Sequence, residues 1–231
     1  MTSMIEFISV TKRYPNGVEA LKNTNLRIEK GEFVFLVGSS GAGKTTILKL
    51  LYRELLPTKG TIKVLGRDVV KLKKREIPFF RRNMGLVFQD YRLLADRTVY
   101  ENVAFALRVI ETPNREIKKR VMESLDLVGL KEKTKALPTE LSGGEQQRIS
   151  LARAIVNQPA VILADEPTGN LDPDTSIDIV NLLRVVNLRG ATVIMATHDQ
   201  EIVDRLRKRV VEVEGGSIIR DQLKGGYRHE A

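Results

Sequence analysis

The chain contains no cysteine, which excludes disulfide staples and cysteine-ligated metal centres. It has no basic start followed by an apolar run. The opening Met1-Thr2-Ser3-Met4-Ile5-Glu6-Phe7 therefore speaks against a secretory signal. Long hydrophobic runs are also missing. The longest nearly uncharged stretches, residues 33–37 and 161–164, fall far short of the about 20 residues that cross a bilayer. If a membrane matters, a partner supplies the span. What is present is ordinary globular composition, with 42% hydrophobic residues among 231. That is enough for a real core in one large domain, or in a domain with a subdomain. The net charge of +9 suits nucleic acid, an anionic membrane surface or a phosphorylated ligand, and does not choose among them.

Short apolar runs alternate with helical patterns. Residues 32–37, 160–164 and 192–196 read as buried parallel strands, and residues 45–53, 145–156 and 175–188 as helices. The alternation predicts an α/β fold with a mostly parallel sheet. The opening differs. Residues 4–10, 25–29 and 61–64, with turn signals at Asn16-Gly17 and Lys59-Gly60, predict an N-terminal antiparallel β subdomain. From about residue 98 to 135 no buried-strand run occurs. Thr98 can cap a helix carrying Val99, Val103 and Leu107, Pro113-Asn114 breaks it, and Ile117, Val121, Leu125 and Val128 repeat at helical spacing. This segment, within about 90–155, predicts an inserted α-helical subdomain. The expected single domain spans 1–221. Residues 222–231 are expected to form a flexible tail, with His229 idle.

Gly38-Ser39-Ser40-Gly41-Ala42-Gly43-Lys44-Thr45 fits the phosphate-binding pattern G-x-x-x-x-G-K-[ST], placed between a strand and a helix as that pattern requires. Glycines let backbone N–H groups curl around phosphate oxygens, and the following helix points its positive end at the anion. Lys44 can reach β- and γ-phosphates, and the Thr45 hydroxyl can ligate Mg²⁺. A second element is the apolar run 161–164 ending in Asp165-Glu166. Alternation sends the two carboxylates in different directions. Asp165 can hold Mg²⁺ through water, and Glu166 can take a proton from an attacking water. A third is Leu141-Ser142-Gly143-Gly144-Glu145. Ser142 is a good N-cap, glycines expose amides and a helix starts after them, which makes a second anion site; a plain helix cap is the alternative.

The stretch from Leu141 to Arg148 resembles the signature motif of the ABC ATPase family, a P-loop nucleoside-triphosphatase group, and the other family elements stand in order over residues 5–220. The resemblance implies that Tyr14 stacks on adenine and that Thr46 joins the nucleotide-binding loop. It further implies that Gln89 senses Mg²⁺ and the attacking water, that Asp172 lies in the loop after the carboxylates, and that His198 is a switch near the γ-phosphate. ATP and Mg²⁺ are the implied cofactors. In this family the signature of one copy faces the phosphate loop of another, which implies a homodimer on ATP binding.

Residues 165–172 (DEPTGNLD) and 85–94 (GLVFQDYRLL) are similar to a branch that includes lipoprotein-release, macrolide-efflux and cell-division ATPases. The cell-division branch implies an integral membrane partner of the FtsX type, a place at the cytoplasmic face of the cell membrane, and control of cell-wall hydrolysis. Ser39 and Ala95 replace prolines expected in many relatives, and Thr45 replaces a common serine while keeping the hydroxyl. Tyr91, Leu93 and Leu94 offer a docking groove or internal packing. The basic clusters Lys71, Lys73, Lys74, Arg75, Arg81, Arg82 and Arg205, Arg207, Lys208, Arg209 offer a solvated face or attraction to inner-leaflet lipid. No aromatic-interleaved basic platform points to specific nucleic acid. Two alternatives stay open: the ATPase of a solute, lipoprotein or macrolide transporter, and a slow nucleotide-gated dimerisation module.

Overall fold

The computed structural model describes residues 3–227. Its elements run β1 (Ser3–Arg13), β2 (Glu19–Glu29), β3 (Phe33–Val37), α1 (Lys44–Leu51), β4 (Lys59–Val64), β5 (Arg67–Asp68), α2 (Ile77–Arg81), β6 (Met84–Phe88), α3 (Val99–Val109), α4 (Asn114–Leu127), α5 (Gly143–Ile155), β7 (Val161–Asp165), α6 (Pro173–Leu188), β8 (Thr192–Ala196), α7 (Gln200–Leu206), β9 (Arg209–Glu214) and β10 (Ser217–Gln222). They form two compact units. One joins the chain up to Arg81 with the chain from Thr192 onward, and the other is Arg82–Ala191.

In the first unit, β2, β1, β4 and β5 lie in that order in an antiparallel sheet. Phe7 stands opposite Leu26 on one side and Ile62 on the other, and all three are buried with Ile5, Ile28 and Val64. The Asn16-Gly17 signal is a turn: Tyr14 N–H donates to the Val18 carbonyl at 2.8 Å. Lys59-Gly60 is not. These residues open β4 beside a bulge in β1. Gly60 has φ +90°, and a Cβ there would lie 2.4 Å from the Ser9 carbonyl oxygen. The glycine is required by strand-to-strand approach rather than by reversal of the chain.

The same unit pairs β3 in parallel with β8 and with β9, and β10 closes antiparallel on β9. Every residue of β3 and of β8 is buried, which explains their unbroken apolar character. The β9–β10 hairpin carries no strong sequence signal. It is tied by Arg209, which pairs with Glu32 and Asp221 at 2.7 Å each. Arg209 is therefore an internal ion-pair residue and not part of a solvated basic face. Arg220 ties the hairpin to residues 226 and 227. Its side chain is 3% exposed, pairs with Glu212 at 2.8 Å, and donates to the carbonyls of Gly226 and Tyr227 at 2.9 and 2.6 Å. Gln222, Gly225, Gly226 and Tyr227 are thus held by hydrogen bonds. Residues 228–231, with His229, lie outside the described residues.

In the second unit β6 pairs in parallel with β7, Phe88 opposite Asp165. Thr98 caps α3 in a reciprocal box with Glu101. Asn102, fully buried, donates to the carbonyls of Leu94, Arg97 and Thr98 and so closes the loop before α3. α4 starts after Pro113 and buries Ile117, Val121 and Leu125. α5 packs against α3, α4, α6 and β6. Among the described residues, no helix is long and apolar enough to cross a membrane.

Candidate nucleotide site

In parallel α/β sheets, ligands gather at the carboxyl ends of the strands. In the first unit, β3 runs directly into the loop 38–43 and then α1. Gly43 is the N-cap of α1 with φ +117°, and a Cβ there would lie 2.6 Å from the Ala20 carbonyl oxygen. Only glycine meets both conditions. Ser39, Ser40, Gly41 and Thr45 are exposed, while Ala42, Gly43, Lys44 and Thr46 are buried. The Lys44 ammonium folds back on the loop and donates to the carbonyls of Gly38 (2.7 Å) and Ser39 (3.2 Å). The loop thus curls around a cation that a phosphate can draw outward. Tyr14 is half-buried; its hydroxyl lies 3.1 Å from the Thr46 hydroxyl, and the Lys12 ammonium sits 5.4 Å above its ring. β8 is the neighbour of β3, with Ala196 opposite Leu36. His198, exposed, therefore leaves its strand at the same end as the loop.

The second unit gathers the other residues. Gln89 and Glu166 come directly after the paired ends Phe88 and Asp165. Glu166 has φ 48°, so the chain turns sharply at the strand end, and its carbonyl accepts from Gly169 N–H at 3.1 Å. The Gln89 amide donates to Asn170 Oδ1 at 3.2 Å, and Asn170 returns a bond to the Gln89 carbonyl at 3.3 Å. Asp172 caps α6 by accepting from Thr175 N–H at 3.0 Å. The Thr175 hydroxyl and then its N–H hold the Asp172 carboxyl below the usual carboxylate range.

Ser142 caps α5 in a reciprocal box with Glu145. The Lys133 ammonium, and after it Ser142 N–H, holds the Glu145 carboxyl low. The Ser142 oxygen accepts within the cap, and its own proton stays available to an anion. Gly143 and Gly144 do more than expose amides. A Cβ on Gly144 would lie 2.5 Å from the Thr175 methyl, and one on Gly143 2.9 Å from the Tyr91 hydroxyl. Contacts therefore run from Gly144 through Thr175 to Asp172 in this unit.

Two residues that no motif singles out tie these loops to α5. Gln147, fully buried, donates to the carbonyls of Phe88 and Pro167. Arg153 donates to those of Arg92 and Tyr91. The signal for Gln147 is weak but real: it is a polar residue on the stripe of α5 that continues through Ser150, Leu151, Ala154 and Ile155, all buried.

The Thr45 hydroxyl in the first unit, and the Gln89 amide carbonyl and Asp165 carboxylate in the second, are each donors of the kind a hard divalent cation takes. Among the described residues no cluster of three His, Asp or Glu side chains could cage a metal. A nucleotide-bound Mg²⁺ needs no such cage, because phosphates and waters complete its shell.

A phosphate loop opening a helix beside a parallel sheet, with paired carboxylate and glutamine loops at strand ends, defines a nucleoside-triphosphate-binding protein. The model of the ABC transporter family matches residues 21–169. The cell division ATP-binding protein FtsE of Bacillus subtilis is 56% identical over 224 residues, covering 97% of this chain and 98% of that one. The FtsE of Streptococcus pneumoniae (strain D39) is 54% identical over 228 residues, 99% of each chain. Among solved structures, a dimeric post-hydrolysis state of the ATP-binding cassette MJ0796 bound to ADP and Pi superposes with a TM-score of 0.87 at 36% identity, over 96% of this chain and all of that one. The chain belongs to the ABC transporter family.

Proposed function

We propose that the chain is the ATP-hydrolysing subunit of a membrane complex that serves cell division, acting as a homodimer that closes on two Mg·ATP. The observation that carries this is the pairing of two anion-binding helix starts in one chain: the loop before α1 and the capped Ser142-Gly143-Gly144 start of α5. Two copies placed head to tail would supply both to each triphosphate. The 48–56% identity to cell division ATP-binding proteins over nearly the full chain supports the biological setting. The partner is then an integral membrane protein of the FtsX type, and the ATPase sits peripherally at the inner face of the cell membrane.

In this mechanism Tyr14 stacks on adenine, the amides of residues 38–46 and Lys44 bind the β- and γ-phosphates, and Ser142, Gly143 and Gly144 of the partner copy close over the γ-phosphate. Thr45, Gln89 and Asp165 would hold Mg²⁺, which would supply charge neutralisation at the phosphate oxygens. Glu166 accepts a proton from water as the water oxygen bonds to γ-phosphorus and the bond to the β,γ-bridging oxygen breaks, giving ADP and phosphate. Gln89 orients that water, His198 contacts the γ-phosphate, and Asp172 orders the loop that carries Asn170.

Glu166→Gln tests the reading. A lost general base costs about 10²–10⁴-fold, so turnover falls by at least about 100-fold while ATP still drives dimerisation, seen by light scattering as a stable dimer. A Glu166→Gln chain that stays monomeric at saturating ATP, or that hydrolyses at the unmodified rate, overturns it.

A further inference from the structure

The inner face of α5 carries an amide where an apolar side chain would fill the space. Gln147 is fully buried. Its Nε2 donates to the Phe88 carbonyl at 3.1 Å and to the Pro167 carbonyl at 2.5 Å, while its Oε1 has no partner among the described residues. A buried acceptor left unpaired costs stability, so packing alone does not account for the residue. The two carbonyls are informative. Phe88 directly precedes Gln89, and Pro167 directly succeeds Glu166. Both of those side chains leave strand ends, Gln89 exposed and Glu166 half-buried at φ 48°. One amide group with two N–H donors thus holds the main chain of both loops at a single point.

Less than two turns further along the helix, Arg153 repeats the device. It donates to the carbonyls of Arg92 and Tyr91 at 2.6 and 2.8 Å, two non-glycine residues with φ of 50° and 56°. Such conformations persist only where surroundings impose them. The helix that begins with Ser142-Gly143-Gly144 therefore grips the glutamine loop twice and the glutamate loop once.

We infer that Gln147 is a positioning residue for hydrolysis. It sets the separation of Gln89 and Glu166 and fixes both to the helix whose start binds the partner copy's nucleotide. The inference rests on the hydrolytic roles proposed above for those two residues. Gln147 touches neither nucleotide nor water; it acts through the backbone of the loops.

The test compares full-length Gln147→Met and Gln147→Glu with the unmodified chain. Methionine keeps the volume and removes both donors. Glutamate keeps the shape and offers at most one donor for two carbonyls. A misplacement of about 1 Å at reacting groups costs about 100-fold in rate, so kcat falls about 10- to 100-fold in Gln147→Met and also falls in Gln147→Glu. The KM for ATP stays within about twofold, and ATP still dimerises the Glu166→Gln/Gln147→Met chain, because no nucleotide contact is lost. A kcat within twofold of the unmodified chain overturns the inference. So does a parallel loss of kcat, KM and melting temperature, or failure of both variants to fold, since either marks a packing role only. The two layers separate cleanly. Undiminished hydrolysis in Glu166→Gln sinks the underlying reading, whereas its loss there with full kcat in Gln147→Met sinks this inference alone.

Discussion

Gly144→Ala separates two reasons for a glycine at the start of α5. The added Cβ would sit 2.5 Å from the Thr175 methyl carbon, against the about 3.5–4.0 Å of an unstrained carbon pair. About 1 Å must be found, and Thr175 has little room to give. It occupies the first turn of α6, and its N–H and hydroxyl both hold the Asp172 carboxylate. Overpacking of this kind costs about 1–3 kcal/mol, partly offset by up to about 1 kcal/mol for replacing a helical glycine. The net loss is about 1–2 kcal/mol, a fall of about 3–6 °C in melting temperature for a chain of this size. Thr175→Ser is the matched partner, since it removes the offending methyl and keeps the hydroxyl for Asp172. Thermal melts of Gly144→Ala, Thr175→Ser and the double variant form a cycle, and the double variant should recover to within about 1 kcal/mol of the unmodified chain. A Gly144→Ala chain that melts with the unmodified one refutes the steric argument. So does a deficit that Thr175→Ser fails to relieve.

Two further outcomes rest on other contacts. Arg220→Met leaves the Glu212 carboxylate and the carbonyls of Gly226 and Tyr227 without their donor, and breaking such a pair costs about 3 kcal/mol; a melting temperature lowered by less than about 3 °C would show that water replaces the guanidinium. The Asp172 and Glu145 carboxyls are held low, by the Thr175 hydroxyl and the Lys133 ammonium first, so their contribution is fully present above about pH 5 and is lost as pH falls through the lowered values. The acid limb of a melting-temperature profile should be shallower in Asp172→Asn, and an unchanged limb would show that the cap bonds survive protonation.

What could be read in the sequence is what the chain builds from neighbours along itself. Strand, glycine loop and helix are contiguous from Phe33 to Leu51, and the Ser142–Glu145 and Thr98–Glu101 boxes each span one turn. The buried runs at β3, β7 and β8 carry their own apolar signature. Illegible features are those whose partners are backbone atoms far along the chain. Gln147 binds carbonyls 59 and 20 residues away, and Arg153 one 61 residues away. A carbonyl has no residue code, so no motif announces these bonds. Lys59-Gly60 misled for a related reason: the partner that demands the glycine is the Ser9 carbonyl of a bulge in another strand.

Charge shows the same gap between counting and structure. The +9 total includes arginines whose guanidinium groups are engaged within the chain. Arg209 is shared between Glu32 and Asp221, Arg81 donates to the carbonyls of Tyr52 and Arg53, and Arg153 is spent on Arg92 and Tyr91. Lys71 pairs with Asp68 at 3.6 Å. Attraction to anionic lipid, about 1 kcal/mol for each basic head near the surface, acts through heads that stay in solvent. In the two clusters Lys71, Lys73, Lys74, Arg75, Arg81, Arg205 and Arg207 are all exposed. Such a basic surface supplies a salt-sensitive pull. On the proposed function the membrane partner supplies the residence at the membrane, so a chain expressed without that partner should leave the membrane fraction at moderate salt.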